Sequence, residues 1–507
     1  MKEEIYSQTL EIQDMSPSEI LKLEKSASNN KSENNDEWEE IKNQKAAMKL
    51  ENNNNDLQNE IVTIWKNDYN KSAENNNNNN INDLRDQEIY LVNKLKTLSY
   101  PDNSELFGDK KKIEFLANYL KLEEEGCKNG FKILPDDVLN IIIATSLEGD
   151  CGRSPDERPD WLDLEKFKRG QKFAVDNAFG ISYSQLLSLF ILFSFEDGLK
   201  PLVVTGKSST PYTAFKRYIS TGRRVRNWYM DDPWKKGTAA YNDIQTVRRM
   251  HEAVRKKLAS IDNETIDKEA KIKNPFCPTR SILIEDFQSA CAAPSLGQCP
   301  YTLYKNPELF SFRPKGLNQG DMIATQFGFM GLIILYPSKF GIYNATDENL
   351  EAFCHTWRGI GYLLGIDDEF NFCRGTLDEV KQRCRHFLEY WAKPNFRELT
   401  PECEHMMRCI IESLKYYVPG GCYETCVLYL SEMLNIQMPR LYSTLTYKMW
   451  FRYHFSKILY QYTCQVPGVL WLLNKGVNNA LDKALNYSAE KHEELKIRSE
   501  ETLKKYT

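Results

Sequence analysis

No stretch of this chain reaches the roughly 18 uninterrupted apolar residues that a membrane-crossing helix needs. The two best runs, 186–195 and 327–336, are about half that length and read as buried helix. The opening residues, MKEEIYSQTLEIQ, are acidic and polar, which predicts no secretory leader and a reducing compartment. There the thirteen cysteines, an odd number at irregular spacing, read mostly as buried free thiols. Excess charge is small: 66 Lys plus Arg against 71 Asp plus Glu gives −5, which argues against a protein that coats nucleic acid. Strand signals are nearly lacking, since 202–204 and 282–284 are too short to build a sheet. Also missing are HExxH, G-x-S-x-G and any C-x-x-C pair, so Cys384, His386, Cys403, His405, Cys409, Cys422 and Cys426 read as buried side chains rather than a zinc site. VVTGKSS (203–209) lacks the first glycine of a phosphate loop, Pro201 standing in its place.

What the chain does contain divides it. Residues 1–98 hold 20 Asn, and 12 basic against 19 acidic residues, a net −7; the remaining 54 basic and 52 acidic residues leave 99–507 near balance. Such a tail buries too little surface to offset chain entropy and is expected to be mostly disordered, with short helical pieces at 37–50 and 84–98. Beyond it, apolar spacing of three and four predicts helices at 110–124, 135–147, 163–178, 183–195, 211–224, 243–260, 318–335, 347–365, 376–392, 400–416, 423–435, 440–463 and 477–505. Loops rich in Pro and Gly fall at 151–160, 271–280, 293–316 and 417–421. The fold class is all-α.

Two basic helices carry the chemistry. Thr210 followed by Pro211 is a helix start. Behind it Tyr212, Phe215, Ile219 and Gly222 form one stripe, and Thr213, Arg217, Ser220 and Thr221 another. In the second helix, with Asn242 or Asp243 as its expected cap, Ile244, Val247, His251, Val254 and Leu258 make one apolar face. His251 sits at its centre, with Arg248 and Arg255 a turn to either side. An imidazole so placed is either a core histidine bonded to a backbone carbonyl or a ligand to a metal or haem iron. Haem requires a neutral imidazole in an apolar slot, cations for two propionates and polar groups near bound oxygen, and residues of each kind are present. The basic runs 223–226 and 255–257 read as solvated helix faces, and the aromatic stretch 447–462 as core or a hydrophobic docking face.

Five segments in fixed order resemble a known family: DWLDLEKFKRGQKF (160–173), TGKSSTPYTAFKRYISTGRRVRNW (205–228), AYNDIQTVRRMHEAVRKKL (240–258), LNQGDMIATQFGFMGLIILYP (317–337) and EAFCHTWRGIGYLLGIDDEFNFC (351–373). They are similar to the catalytic domain shared by the ER-bound oxygenase of mycophenolic acid biosynthesis and the rubber oxygenases (latex-clearing proteins). The resemblance covers 156–400, between a helical extension (99–155) and a C-terminal helical extension (401–507). It implies a globin-like helical core holding haem b, with His251 as the iron ligand. Arg217 and Thr221 match the family's Arg-x-x-Lys-Thr, while Ser220 replaces the Lys that caps the distal iron position; Ser is a poor iron ligand, so an open or water-occupied position is expected. Arg248 and Arg255 are the candidate propionate contacts. No residue matches the family's acidic base, Glu196 and Asp197 being only near in sequence; His355 and Trp357 are expected to pack their helix against the core, and Arg358 to make a structural ion pair or a propionate contact. The expected partners are O2 and an apolar, isoprenoid or unsaturated lipid-like substrate, with no nucleic acid. The expected place is the cytoplasm, with peripheral contact at the ER membrane surface. The alternative is a non-catalytic carrier or sensor of haem or a hydrophobic ligand.

Overall fold

The computed structural model describes residues 116–117, 134–291, 312–418 and 421–505. Expectations for 1–98, most of the helix at 110–124 and most of the loop at 293–316 lie outside these residues. Every regular element among the described residues is helical: α1 (Asp136–Ala144), α2 (Leu164–Asp176), α3 (Ala178–Phe193), α4 (Glu196–Val204), α5 (Pro211–Met230) and α6 (Ala239–Ala259) come first. Then follow α7 (Asn263–Glu269), α8 (Arg280–Ala290), α9 (Gln319–Leu335), α10 (Asp347–Leu363), α11 (Leu377–His386) and α12 (Lys393–Phe396). The C-terminal set is α13 (Pro401–Leu414), α14 (Tyr423–Met433), α15 (Pro439–Ser443), α16 (Tyr447–Gln461), α17 (Val469–Leu485) and α18 (Ala489–Lys504).

Side-chain caps decide many of the boundaries. The Thr210 hydroxyl accepts from Thr213 N at the start of α5, as its sequence predicts. On α6 the cap is Thr238, which accepts from Tyr241 N. Asp243 therefore lies inside that helix, where its carboxylate accepts from Asn227 Nδ2 at 2.8 Å across the α5–α6 contact. Two predicted helices are each broken in two where a hydroxyl caps a new start: Thr446 accepts from Met449 N, and Ser488 from Lys491 N. The helix expected over 376–392 passes into a π-helical stretch at Phe387–Ala392, just before Pro394, which has no N–H for the preceding turn. Both short strand-like segments are helical: 202–204 ends α4 and 282–284 lies in α8. Their apolar residues reflect burial, with Val203 and Leu283 in the core. Gly206, at φ +65°, turns the chain just after α4 in a left-handed conformation that favours glycine.

Helix α9 is buried along nearly its whole length, packed against α3, α1, α10 and α11. Its Gln326 is fully used: Nε2 donates to Trp357 O at 2.7 Å and Oε1 accepts from Phe372 N at 2.8 Å. The closest pair is α2 on α10. A Cβ on Gly170 would lie 2.1 Å from Ala352 O, and Thr356 Oγ1 donates to Phe167 O at 2.9 Å across the same contact. Helices α13, α17 and α18 pack on α5, and all the described residues fall in one compact unit. Eleven cysteines lie in the described residues; all are free and nine are buried. No helix there is long and apolar enough to cross a membrane; α3 and α4 pass together by composition but are bent by 103°.

Candidate functional site

Helix α5 turns its two stripes in different directions. Phe215 and Ile219 join Tyr416, Ala484 and Leu495 in a hydrophobic cluster, with Tyr212 packed against it. Thr213, Arg217, Ser220 and Thr221 instead border a cavity of about 2220 Å³. On α6 the ends of the apolar face, Ile244 and Leu258, are buried. Val247, His251 and Val254 between them are only partly buried and line the same cavity. The face that periodicity marks as core is therefore, in its middle, a cavity wall. Side chains of α3, α9 and α10 complete that wall, among them Leu192, Met322, Phe329 and Trp357. Phe327 and Met330 of α9 point away from it and are fully buried.

His251 Nδ1 is enclosed and has no hydrogen-bond partner among the described residues. Burial, helped by the Arg255 and Arg217 cations and opposed by Asp150, pushes its pKa down to about 4. The ring is therefore neutral at pH 7, as a metal ligand must be. Arg217 Nη1 donates to the Ser208 hydroxyl at 3.2 Å, which holds the guanidinium at the cavity edge. Ser220 Oγ accepts from Arg224 Nη1 at 2.7 Å. The structure thus brings His251, Arg217, Ser220 and Thr221 to one cavity.

Arg248 and Arg255 do not line it. Arg248 grips Asp150 with two bonds, Nε at 2.9 Å and Nη2 at 2.6 Å; Arg255 Nη2 stands 3.8 Å from the same carboxylate. Burial works against the charge of Asp150, but Arg248 and Arg255 hold its carboxyl below the ordinary value. Glu196 and Asp197 face Lys200, and Asp197 also accepts from Arg313 Nη2 at 2.9 Å. Two acidic residues do line the cavity: Asp482, which is paired with Arg226, and Asp321, in the first turn of α9. Its Oδ2 accepts from Leu317 N at 2.6 Å, and burial, with the charge of Asp197 nearby, pushes its pKa up to about 7. Sequence reasoning passed over it, because an Asp in a first turn looks like ordinary helix-dipole complementation.

His355 Nε2 accepts from Asp163 N at 3.0 Å, so its lone pair is engaged and the ring fixes the start of α2. Arg358 pairs with Asp368 and lies over the Trp161 ring at 3.9 Å. His405 accepts from Phe276 N at 2.9 Å. No group of three or more His, Cys, Asp or Glu among the described residues is arranged to hold a metal ion. A porphyrin iron, held by four ring nitrogens of its own, needs only an axial side chain, and the neutral, unbonded His251 on an apolar wall fits that need. The basic runs carry carboxylate partners: Arg223 and Arg224 with Asp243, Arg226 with Asp482, Lys256 with Glu252. Compared with protein-family models, curated proteins and solved structures, the chain matches none.

Proposed function

We propose that this protein is a haem b-dependent oxygenase acting on an apolar, lipid-like substrate, with the cavity between α5, α6 and α9 as its site. One observation carries the reading: a neutral imidazole with no hydrogen-bond partner on either ring nitrogen among the described residues stands on a mainly apolar cavity wall, beside Arg217 on the neighbouring helix. The globin-like core implied by the resemblance belongs to this proposal too.

In this reading His251 holds the iron, and its depressed pKa keeps the ring deprotonated and free to bind at neutral pH. Bound haem supplies the one-electron chemistry by which O2 oxidises an unsaturated chain. Arg217, positioned by Ser208, presents a fixed cation to a developing negative charge or to a carboxylate. Thr221 offers a hydroxyl one turn further along α5. Ser220 is tied to Arg224, so its hydroxyl is engaged and would not serve as a ligand. Asp321, whose carboxyl titrates near neutral pH, is placed to deliver or accept a proton at the cavity wall. Arg248 and Arg255 reach a propionate only by exchanging Asp150 for it. The mainly apolar walls favour a hydrocarbon-like ligand.

Cavity size favours a second reading, a carrier of a hydrophobic ligand. At about 2220 Å³ the cavity exceeds the roughly 300–1,000 Å³ of ordinary ligand sites. The absorption spectrum of purified protein separates the two. We expect a Soret band in the wild type and its loss in His251→Ala, with helical circular dichroism unchanged. A correctly folded, colourless wild type, produced with ample haem precursor, would leave the carrier reading alone.

A further inference from the structure

The C-terminal helices carry a surface that the oxygenase reading does not use. From position 433 to 481 the chain has no Asp or Glu, where its average of 71 in 507 would place about seven. The same stretch contains Arg440, Lys448, Arg452, Lys457 and Lys475. Arg440 and Lys457 pair with carboxylates outside it. Lys448, Arg452 and Lys475 have no carboxylate partner among the described residues.

On α16, spacings of four and three put Tyr447, Phe451, Phe455, Ile458 and Tyr462 on one stripe, and that stripe faces outward. Tyr447 is 85% exposed, Phe451 59% and Ile458 53%. The opposite side, with Tyr453 and Tyr460, is buried. Trp471 (62% exposed) and Leu472 at the start of α17 extend the patch, and the Lys475 ammonium lies 5.2 Å from the Trp471 ring centre. Together these side chains expose on the order of 1,000 Å² of mainly apolar surface, well above the few hundred usual for a soluble monomer. A protein partner would need its own matching apolar face. The mixture of Trp, Tyr and Phe with unpaired cations and no acid is instead what the headgroup region of an anionic bilayer selects. The patch is also continuous with the cavity: Arg452, Phe455 and Leu472 are part of its lining.

We propose that the outward face of α16 and the start of α17 dock this protein on an anionic lipid bilayer, with the cavity mouth opening against the membrane. Docking needs no iron and stands apart from the oxygenase reading; the entry of an apolar substrate from the bilayer through this mouth rests on it.

The test is flotation of the full chain with vesicles of phosphatidylcholine alone or with about 30% phosphatidylserine. The wild type should float with the anionic vesicles and far less with neutral ones. Phe451→Glu/Trp471→Glu, neither of which is a cavity-lining residue, should lower binding at least about tenfold. Circular dichroism and any Soret band should stay unchanged. Lys448→Glu/Lys475→Glu should lose binding while leaving the apolar stripe intact. No flotation by wild type, or flotation unaffected by either pair, would overturn the proposal. So would a wild-type dimer in sedimentation that Phe451→Glu dissociates, with no binding to vesicles, since a second copy would then own the face. A colourless protein that still floats would defeat the haem reading and leave docking intact.

Discussion

At the residue scale, two titratable groups on one cavity wall are displaced in opposite directions by the same cause. Burial keeps His251 neutral by lowering its pKa, and raises that of Asp321 to about 7. For Asp321 the linkage has a definite sign. The folded carboxyl titrates near 7 and the unfolded one near its ordinary value of 3.8, so the folded state binds more protons between those values. The stability this confers is complete below the unfolded value and is lost as pH rises through about 7. Asp321→Asn removes the titration. Its melting temperature relative to wild type should therefore be higher at pH 8 than at pH 5. An equal difference at both pH values would show that the Asp321 carboxyl is solvated.

At the scale of elements, the α2–α10 contact is set by the absence of a side chain. Gly170 lets Ala352 O approach to where a Cβ would lie only 2.1 Å away, and backbone cannot yield as a flexible side chain would. Gly170→Ala should force the helices apart and cost about 1–3 kcal/mol in denaturant unfolding, more than its gain in helix propensity of roughly 1 kcal/mol returns. Helix α5 shows a second rule, that one helix serves two neighbours. Its Phe215 stripe docks on the C-terminal helices, which leaves the Arg217 stripe for the cavity. Both stripes are legible at spacings of three and four. The caps Thr446 and Ser488 were harder to see, because a hydroxyl inside an amphipathic run looks like any polar face residue until the backbone beside it turns.

At the scale of the whole molecule, the cavity of about 2220 Å³ is a large departure from close packing among the described residues. Filling it should therefore affect ligand uptake and not folding. Val254 is partly buried and faces the open space, so Val254→Phe has room for the added atoms. Unfolding free energy should change by no more than about 0.5 kcal/mol. Uptake of a fluorescent fatty acid should fall at least about fivefold, in either the oxygenase or the carrier reading. A large loss of stability would show that the space closes in solution.

Sequence alone determined the helical class and the two stripes of α5. It also singled out His251, since periodicity of side chains along one helix is a local property that survives without tertiary contacts. It could not tell a core face from a cavity wall, because the same apolar spacing serves both. Only the packing of α5, α6 and α9 left the middle of the α6 face uncovered while burying Ile244 and Leu258. Packing likewise committed Arg248 and Arg255 to Asp150, about a hundred residues away in sequence, and enclosed the carboxyl of Asp321. A charge is assigned its partner by proximity in space, and that is decided when the chain closes on itself.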